Sequence, residues 1–417
     1  MEKTLYDIIV IGAGAAGLMA AGTAAEAGAS VLLLEAMPRA GRKLMITGKG
    51  RCNMTSNTGI DEYLANINPV PKFCLPMFSR FFVSDTLRHF HRLGVATIEE
   101  RGRRIFPRSG RAVDVVDALV SWNTEKGVQF KFERKVKELI MENHQVTGVK
   151  LDTGTVFACK NCILATGGRS YPATGSTGDG YRIAAETGHR IIPPLPALVP
   201  LLTAGDLAAS MQGLTLKNIE ATLYINGKKK KSGFGELLFT TNGLSGPVIL
   251  SLSRDVVIAL HNGHKAEITI NCKPALNKTV LEARIQRELD KHGNAKFKTM
   301  LRSLVPLQMI SPLCARSGLN PDKYCNQVNA AERTVLLRHL KKLHFEIAAH
   351  GGWEEAIITS GGVHLKEINP STLESKIAAH LFFAGEILDL DAATGGYNLQ
   401  IAWSSAFAAA IAAAERT

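Results

Sequence analysis

Ile8-Ile9-Val10-Ile11 and Val31-Leu32-Leu33-Leu34 are unbroken apolar runs, each too short for a buried helix, with an Ala-rich stretch from about residue 15 to 27 between them. The pattern predicts a strand, a Gly-rich turn, a helix and a second strand over residues 5 to 35. Neither strand alternates with polar residues, so both belong to a parallel sheet covered on both faces, the doubly wound arrangement. Further strands are predicted near 128–132, 146–151 and 162–165, and helices near 84–93 and 113–126.

Beyond residue 193 the texture changes. Segments 219–225, 236–241 and 266–271 are short and bounded by Gly, Asn or Pro, which predicts an antiparallel β lobe. Residues 277 to about 343 are predicted helical, with Leu281, Ile285 and Leu289 at four-residue spacing. Leu381-Phe382-Phe383-Ala384 is again a buried strand, and 398–414 an Ala-rich helix, so the C-terminal part is expected to rejoin the first domain. The expected class is α/β, with a doubly wound domain over 1–193 and 356–417, an inserted β lobe over 194–274 and 344–355, and a small helical lobe over 275–343.

A chain of 417 residues exceeds what one core organises, in keeping with several lobes. Forty-nine Lys and Arg against 37 Asp and Glu give +12, which matters where it clusters. Arg101, Arg103, Arg104, Arg108 and Arg111 fall within eleven residues around Phe106, and Lys228 to Lys231 follow an Asn226-Gly227 turn signal. Such arginines can hold phosphates while the Phe106 ring stacks a base; equally, both runs can be solvated loops.

Seven scattered cysteines make no disulfide framework and point to a reducing, cytoplasmic setting. Cys159 and Cys162 have redox-motif spacing but sit on a predicted strand, where positions i and i+3 face opposite ways. The histidines show no ligand spacing, and no metal is expected. No signal-peptide pattern is present and the apolar stretch at 406–414 is far short of the ~20 residues that span a bilayer, so no membrane partner is expected.

The chemistry begins at Gly12-Ala13-Gly14-Ala15-Ala16-Gly17, between the first strand and the helix. In this context Gly12 permits the tight turn, Gly14 lets backbone approach a pyrophosphate and Gly17 lets the helix pack closely, while the helix N-terminus offers N–H groups to phosphate. Glu35, followed by Ala36, ends the second strand where an acid accepts a ribose hydroxyl and repels a 2′-phosphate. Three further loops accompany the fingerprint: Gly41-Arg42-Lys43 with Thr47-Gly48-Lys49-Gly50-Arg51-Cys52-Asn53, then Ala165-Thr166-Gly167-Gly168, then Gly395-Gly396-Tyr397-Asn398 before the last helix. Distant loops converging on one long cofactor indicate FAD rather than NAD.

These segments, with Gly175-Ser176-Thr177-Gly178-Asp179-Gly180-Tyr181, Leu238-Phe239-Thr240-Thr241-Asn242-Gly243-Leu244-Ser245-Gly246-Pro247 and Gly385-Glu386-Ile387-Leu388-Asp389, resemble the BaiN/RdsA-type family of FAD-dependent oxidoreductases, the aminoacetone-oxidase-like flavoproteins, over essentially the whole chain. The resemblance implies a discontinuous Rossmann-like FAD domain with a β-barrel-like lobe inserted and a helical lobe inserted in turn. It implies that Val136, Gly385 and Glu386 join the cofactor-binding set and that the Arg51-Cys52-Asn53 loop lies near the isoalloxazine ring. The family commonly has glycine where this chain has Lys49.

No second dinucleotide fingerprint is present, so NADH or NADPH is expected as a transient donor; the alternative is a substrate that itself reduces the flavin, with oxygen as acceptor. The resemblance implies two substrate classes. One is reduction of conjugated C=C bonds, including dihydrouridine formation in ribosomal RNA and reduction of bile-acid intermediates; the other is oxidation of small aminoketones. A flavin-bound ribosome-assembly factor without catalysis is a third reading. Uracil reduction needs a proton donor beside the hydride acceptor, for which Cys52, Tyr397 and Tyr171 are the candidates, Cys52 with a pKa expected to be lowered by Arg51 or, equally, as a buried packing thiol.

Overall fold

The structure, a computed structural model, describes residues 5–417. Its residues form two compact units, one of Met1–Pro196 with Ile357–Thr417 and one of Ala197–Ala356.

The first unit is built on a seven-stranded sheet. Its strand order is Gln129–Lys131, Val31–Leu34, Leu5–Ile11, Val156–Leu164, Gln145–Leu151 and Val136–Glu142. The seventh strand, Leu381–Phe383, runs parallel to the end of Val156–Leu164, while the start of that strand pairs antiparallel with Gln145–Leu151. The four central strands are parallel and wholly or largely buried, which is why their sequences carry no alternation. Helix Ala15–Glu26 packs on helix Tyr397–Ala414, both dominated by alanine and buried nearly all round. Small side chains let the two backbones approach, and a Cβ at Gly22 would lie 2.3 Å from the Trp122 ring.

The Val156–Leu164 strand buries Cys159 and Cys162 as free thiols and exposes Lys160.

The second unit is a closed barrel of six strands in the order Leu201–Thr203, Gly243–Ser245, Lys228–Phe239, Thr215–Ile225, Ala266–Asn271 and Leu343–His350. Alternate residues of Ala266–Asn271 and Leu343–Ile347 point inward, the period-two pattern of a sheet with one wet face. Four α-helices, Lys278–Lys291, Phe297–Leu301, Leu307–Ser317 and Ala330–Lys341, lie between the last two strands. The β lobe expected over 194–274 also contains a helix, Pro247–His261. Its start was legible in principle: Pro247 is tolerated at the first helical turn, and Val248, Ile249, Leu252 and Val256 make a buried stripe.

Candidate functional site

Ile11, Leu34, Leu164 and Phe383 are register partners across four parallel strands, so the segments that leave those strands emerge side by side. They are Gly12 to Gly17, Glu35-Ala36, Ala165-Thr166-Gly167 and Ala384-Gly385-Glu386. The carboxyl edge of an open parallel sheet is where such folds bind ligands.

The three fingerprint glycines have different reasons. Gly12 turns at φ 101°, and a Cβ there would sit 2.6 Å from the Ala165 carbonyl oxygen. A Cβ at Gly17 would lie 1.7 Å from the Gly12 carbonyl oxygen, so the helix can seat only on a glycine. Gly14 would meet nothing within 4 Å and so faces open space. The helix that begins at Ala15 and Ala16 has no side-chain cap and no acid in its first turn, leaving its positive end for an anion.

Glu35 accepts the Ala13 N–H at 2.7 Å and the Met37 N–H at 2.8 Å. Burial raises its carboxyl above the usual range, opposed by those N–H groups and by Arg42. Gly12, Glu35, Ala36, Val136, Thr166, Gly175 and Thr177 line one open cleft. The Thr166 Oγ1 is buried against Gly180, where a Cβ would stand 1.9 Å from it, and has no hydrogen-bond partner.

Gly385 packs against the fingerprint helix, where a Cβ would stand 2.7 Å from Ala16 Cβ, and donates its N–H to Ser405 Oγ at 2.9 Å. Glu386 pairs with Lys43 at 2.6 Å and accepts from the Thr359 N–H at 2.8 Å and Ser170 Oγ at 3.1 Å. Lys43 also donates to Ser170 Oγ at 2.5 Å, and Arg42 to the Ala173 carbonyl at 3.0 Å. Ser170 and Thr359 were missed by sequence reasoning; Ser170 lies just past the Gly167-Gly168 pair, whereas nothing around Thr359 signals a polar role.

Helix Arg42–Gly50 breaks at Thr47, and Gly48 and Lys49 both adopt left-handed backbone, at φ 57° and 60°. Lys49 therefore carries a side chain where the conformation favours glycine. Gly50 follows at φ 82° and Cys52 at φ 59°. Cys52 is fully buried, and burial pushes its thiol up to about 12. The expected lowering by Arg51 does not occur, because that guanidinium pairs with Glu100 at 2.5 Å and lies 4.4 Å over the Phe106 ring. A second expectation also fails: Phe106 is buried beneath Arg51 and cannot stack a base.

Asn53 keeps a buried Oδ1 without a partner. Beyond it, the Trp403 Nε1–H donates to the Met54 carbonyl at 3.0 Å, and Thr55 Oγ1 donates to Gln400 Oε1 at 2.7 Å. A Cβ at Gly396 would stand 2.4 Å from the Thr55 carbonyl carbon, so the last helix begins hard against this loop without a side-chain cap. Asn398 spends its amide on Ala392, donating at 2.9 Å and accepting at 2.8 Å. The Tyr397 hydroxyl reaches Glu62 at 3.4 Å beside the Ser56 and Thr58 hydroxyls, and burial holds it above the ordinary phenol range. Tyr171, half-buried at φ 53°, instead follows Ser170 beside the Lys43–Glu386 pair.

The arginine run forms a hairpin of Thr97–Glu100 and Arg104–Pro107, to which Thr55–Ser56 adds a third strand. Met54 donates to Ile105 at 2.8 Å and Asn57 to Arg103 at 2.7 Å, so the hairpin is zipped onto the segment that follows Cys52. All five arginines are exposed. Arg111 lies near Asp114 at 3.5 Å, and among the described residues no carboxylate pairs with Arg101, Arg103 or Arg108.

The donor set fits FAD. An uncapped helix end with free space at Gly14 suits a pyrophosphate, the Glu35 carboxylate lines the adjoining cleft, and the last helix offers a second uncapped end at Gly396. Among the described residues no three His, Cys, Asp or Glu side chains gather as a metal site, and no helix is long and apolar enough to cross a membrane.

Residues 6–412 match the family model described as HI0933-like protein Rossmann domain. The chain is 31% identical over 409 residues to a 3-dehydro-bile acid delta(4,6)-reductase of Clostridium scindens, covering 98% of each. It is 31% identical over 411 residues to a ribosomal RNA dihydrouridine synthase of Escherichia coli, again covering 98% of each. Among solved structures, Mycobacterium smegmatis Sdh1 in complex with UQ1 aligns at TM-score 0.51 and 14% identity, covering all of this chain and 69% of that one, a likeness of fold. The chain belongs to the HI0933-like Rossmann family and is an FAD-dependent oxidoreductase.

Proposed function

We propose that this protein is a cytoplasmic, NAD(P)H-driven reductase of conjugated C=C bonds, with a uracil of 23S ribosomal RNA as its leading substrate and dihydrouridine as product. The observation that carries this reading is the exposed arginine hairpin, hydrogen-bonded strand to strand onto the loop that holds Cys52 and Asn53. A polyanion held on that surface has its bases beside the loop, and phosphate contacts set register. The names of the two full-length relatives describe a bile-acid reductase and a dihydrouridine synthase, which suits saturation of a C=C bond next to a carbonyl.

FAD, when bound, supplies the hydride. Gly14 and the helix end at Ala15 would receive its pyrophosphate, Glu35 and Thr166 its adenosine side, and Gly396 with Asn53 its ring end. Lys43 and Glu386 neutralise each other and brace the Gly385 turn. Tyr397 is the proton donor this geometry favours: its hydroxyl stays protonated at neutral pH and touches Glu62, an exposed carboxylate able to return the proton from solvent. Cys52 is enclosed and serves packing instead. The nicotinamide donor visits without a Rossmann site of its own.

The test is nucleoside analysis of 23S RNA from a strain lacking the gene. Dihydrouridine is expected to vanish and to return with the wild-type gene but not with Gly14→Asp. Unchanged dihydrouridine in the deletion strain would sink the RNA reading. Efficient turnover of a free enone would then favour the small-molecule reading, which the equally similar bile-acid relative supports.

A further inference from the structure

The barrel unit Ala197–Ala356 holds 21 Lys and Arg against 13 Asp and Glu, so it carries +8 of the chain's +12 although it contains none of the nucleotide cleft. The surplus has a focus. Asn226 and Gly227 turn the hairpin between Thr215–Ile225 and Lys228–Phe239, and Lys228, Lys229, Lys230 and Lys231 are all exposed. Lys265 is held against the same turn, its N–H donating to Asn226 Oδ1 at 3.0 Å and its carbonyl accepting the Asn226 N–H at 2.9 Å. Among the described residues no carboxylate pairs with any of these five lysines. An unneutralised cluster of this kind is maintained against its own repulsion.

The strand geometry extends the patch. Leu223 opposes Lys231 while Tyr224 opposes Lys229, so Lys230 is the extra residue of a bulge that breaks the in-and-out alternation and fans the lysines. Further along the same strand Phe234 is 68% exposed, the most exposed large hydrophobic side chain described. It stands opposite Glu220, whose carboxylate accepts from Asn271 at 3.4 Å. Ser232 and Thr222 lie between, hydrogen-bonded to each other at 3.0 Å. Cations along one end and an open aromatic face two positions past Ser232 are what a single-stranded nucleic acid needs: charge for its phosphates and a platform for a base.

We infer that the hairpin of the barrel unit is a second RNA-contact surface, in which Lys228 to Lys231 and Lys265 take phosphates and Phe234 stacks an unpaired base. This rests on the RNA reading proposed above, and goes beyond it by assigning grip on the substrate to a unit that holds no cofactor residue. An anionic lipid surface would meet the lysines equally and would take the Phe234 ring into its interface, so the vesicle arm of the test separates it from RNA.

The test uses the FAD-loaded full chain, a single-stranded ribosomal RNA fragment and, separately, phosphatidylglycerol vesicles. Wild-type RNA affinity is expected to fall steeply with salt. Changing Lys228, Lys229, Lys230 and Lys231 to Gln should reduce the slope of log affinity against log salt by about 0.7 for each lysine that meets a phosphate, and weaken binding at least roughly tenfold at low salt. Changing the same four to Arg should keep the slope. Phe234→Ala should weaken RNA binding roughly tenfold without changing the slope. Reduction by NAD(P)H should be the same in every variant.

An unchanged slope in the Gln variant overturns the inference, as does wild-type binding to vesicles in preference to RNA. The two proposals separate cleanly. Lysine-dependent RNA binding without dihydrouridine would sink the substrate and keep the surface, whereas dihydrouridine formed with equal affinity by wild type and Gln variant would do the reverse.

Discussion

The two ends of the proposed cofactor site are built differently. The nucleotide end consists of backbone at the tips of hydrogen-bonded strands: Gly12 against Ala165, Gly17 against Gly12, and Glu35 on the Ala13 N–H. The proposed ring end is a weave of side chains, with Gln400 accepting from Thr55 and Thr86, Trp403 bound to Met54, and Ser404 donating to the Phe81 carbonyl. Backbone placed by a sheet tolerates only glycine at fixed spacing. A side-chain weave tolerates any residues that complete it, so the first end announces itself in sequence and the second does not.

If the contrast is right, damage at the two ends should look different. The largest effect is expected from Gly17→Ala, whose Cβ meets a carbonyl that cannot yield: the apoprotein should lose about 3 kcal/mol in denaturant unfolding and purify colourless. An apoprotein as stable as wild type would mean that the helix shifts freely, and the rigid-backbone account of that end would fail. Next is Gln400→Leu, which removes the acceptor shared by the buried Thr55 and Thr86 hydroxyls, leaving them the Tyr63 hydroxyl and the Phe82 carbonyl, and should cost about 1–3 kcal/mol for the two lost hydrogen bonds while leaving the affinity for ADP, a probe of the nucleotide end, unchanged. Loss of ADP binding would show that the ends are not independent.

Gly14→Ala sharpens the distinction within the nucleotide end. It meets no atom, so apoprotein stability should hold while FAD affinity falls about tenfold, or 1.4 kcal/mol. The smallest effect is the pH dependence of Glu35. Burial raises its folded pKa above the ordinary 4.5, so the folded apoprotein binds this proton more tightly than the unfolded chain. Its contribution is fully present below 4.5 and is lost as pH rises through the raised value. Apoprotein carrying Glu35→Gln should lack that decline when thermal midpoints are compared above and below the window; an identical pH profile would place the carboxyl's pKa back at its ordinary value.

Legibility followed the same division. The βαβ start, the Glu35 position and the Ala-rich final helix were readable, because uninterrupted apolar runs and glycine spacing are local signals. The partners of Thr55 and Met54 were not, since Gln400 and Trp403 lie some 345 residues away and sit in a helix whose alanines alone explain its burial. The expected lowering of the Cys52 pKa and the open face of Phe106 failed for one reason: charge beside a residue in sequence says nothing of where the guanidinium goes, and Arg51 turned to Glu100 over the Phe106 ring. Ser170 had only its place after Gly167-Gly168 to mark it and Thr359 nothing, because they act on Glu386 from segments 189 residues apart.

Two half-reactions without oxygen decide whether electrons pass from a visiting nicotinamide to a conjugated C=C bond of RNA. The FAD-loaded protein is bleached with NADH or NADPH, and the bleached protein is mixed with a 23S ribosomal RNA fragment. The yellow colour is expected to return, with one dihydrouridine formed for each flavin reoxidised. Bleached protein that stays colourless with RNA, yet recovers at once with a free enone or with oxygen, would contradict it.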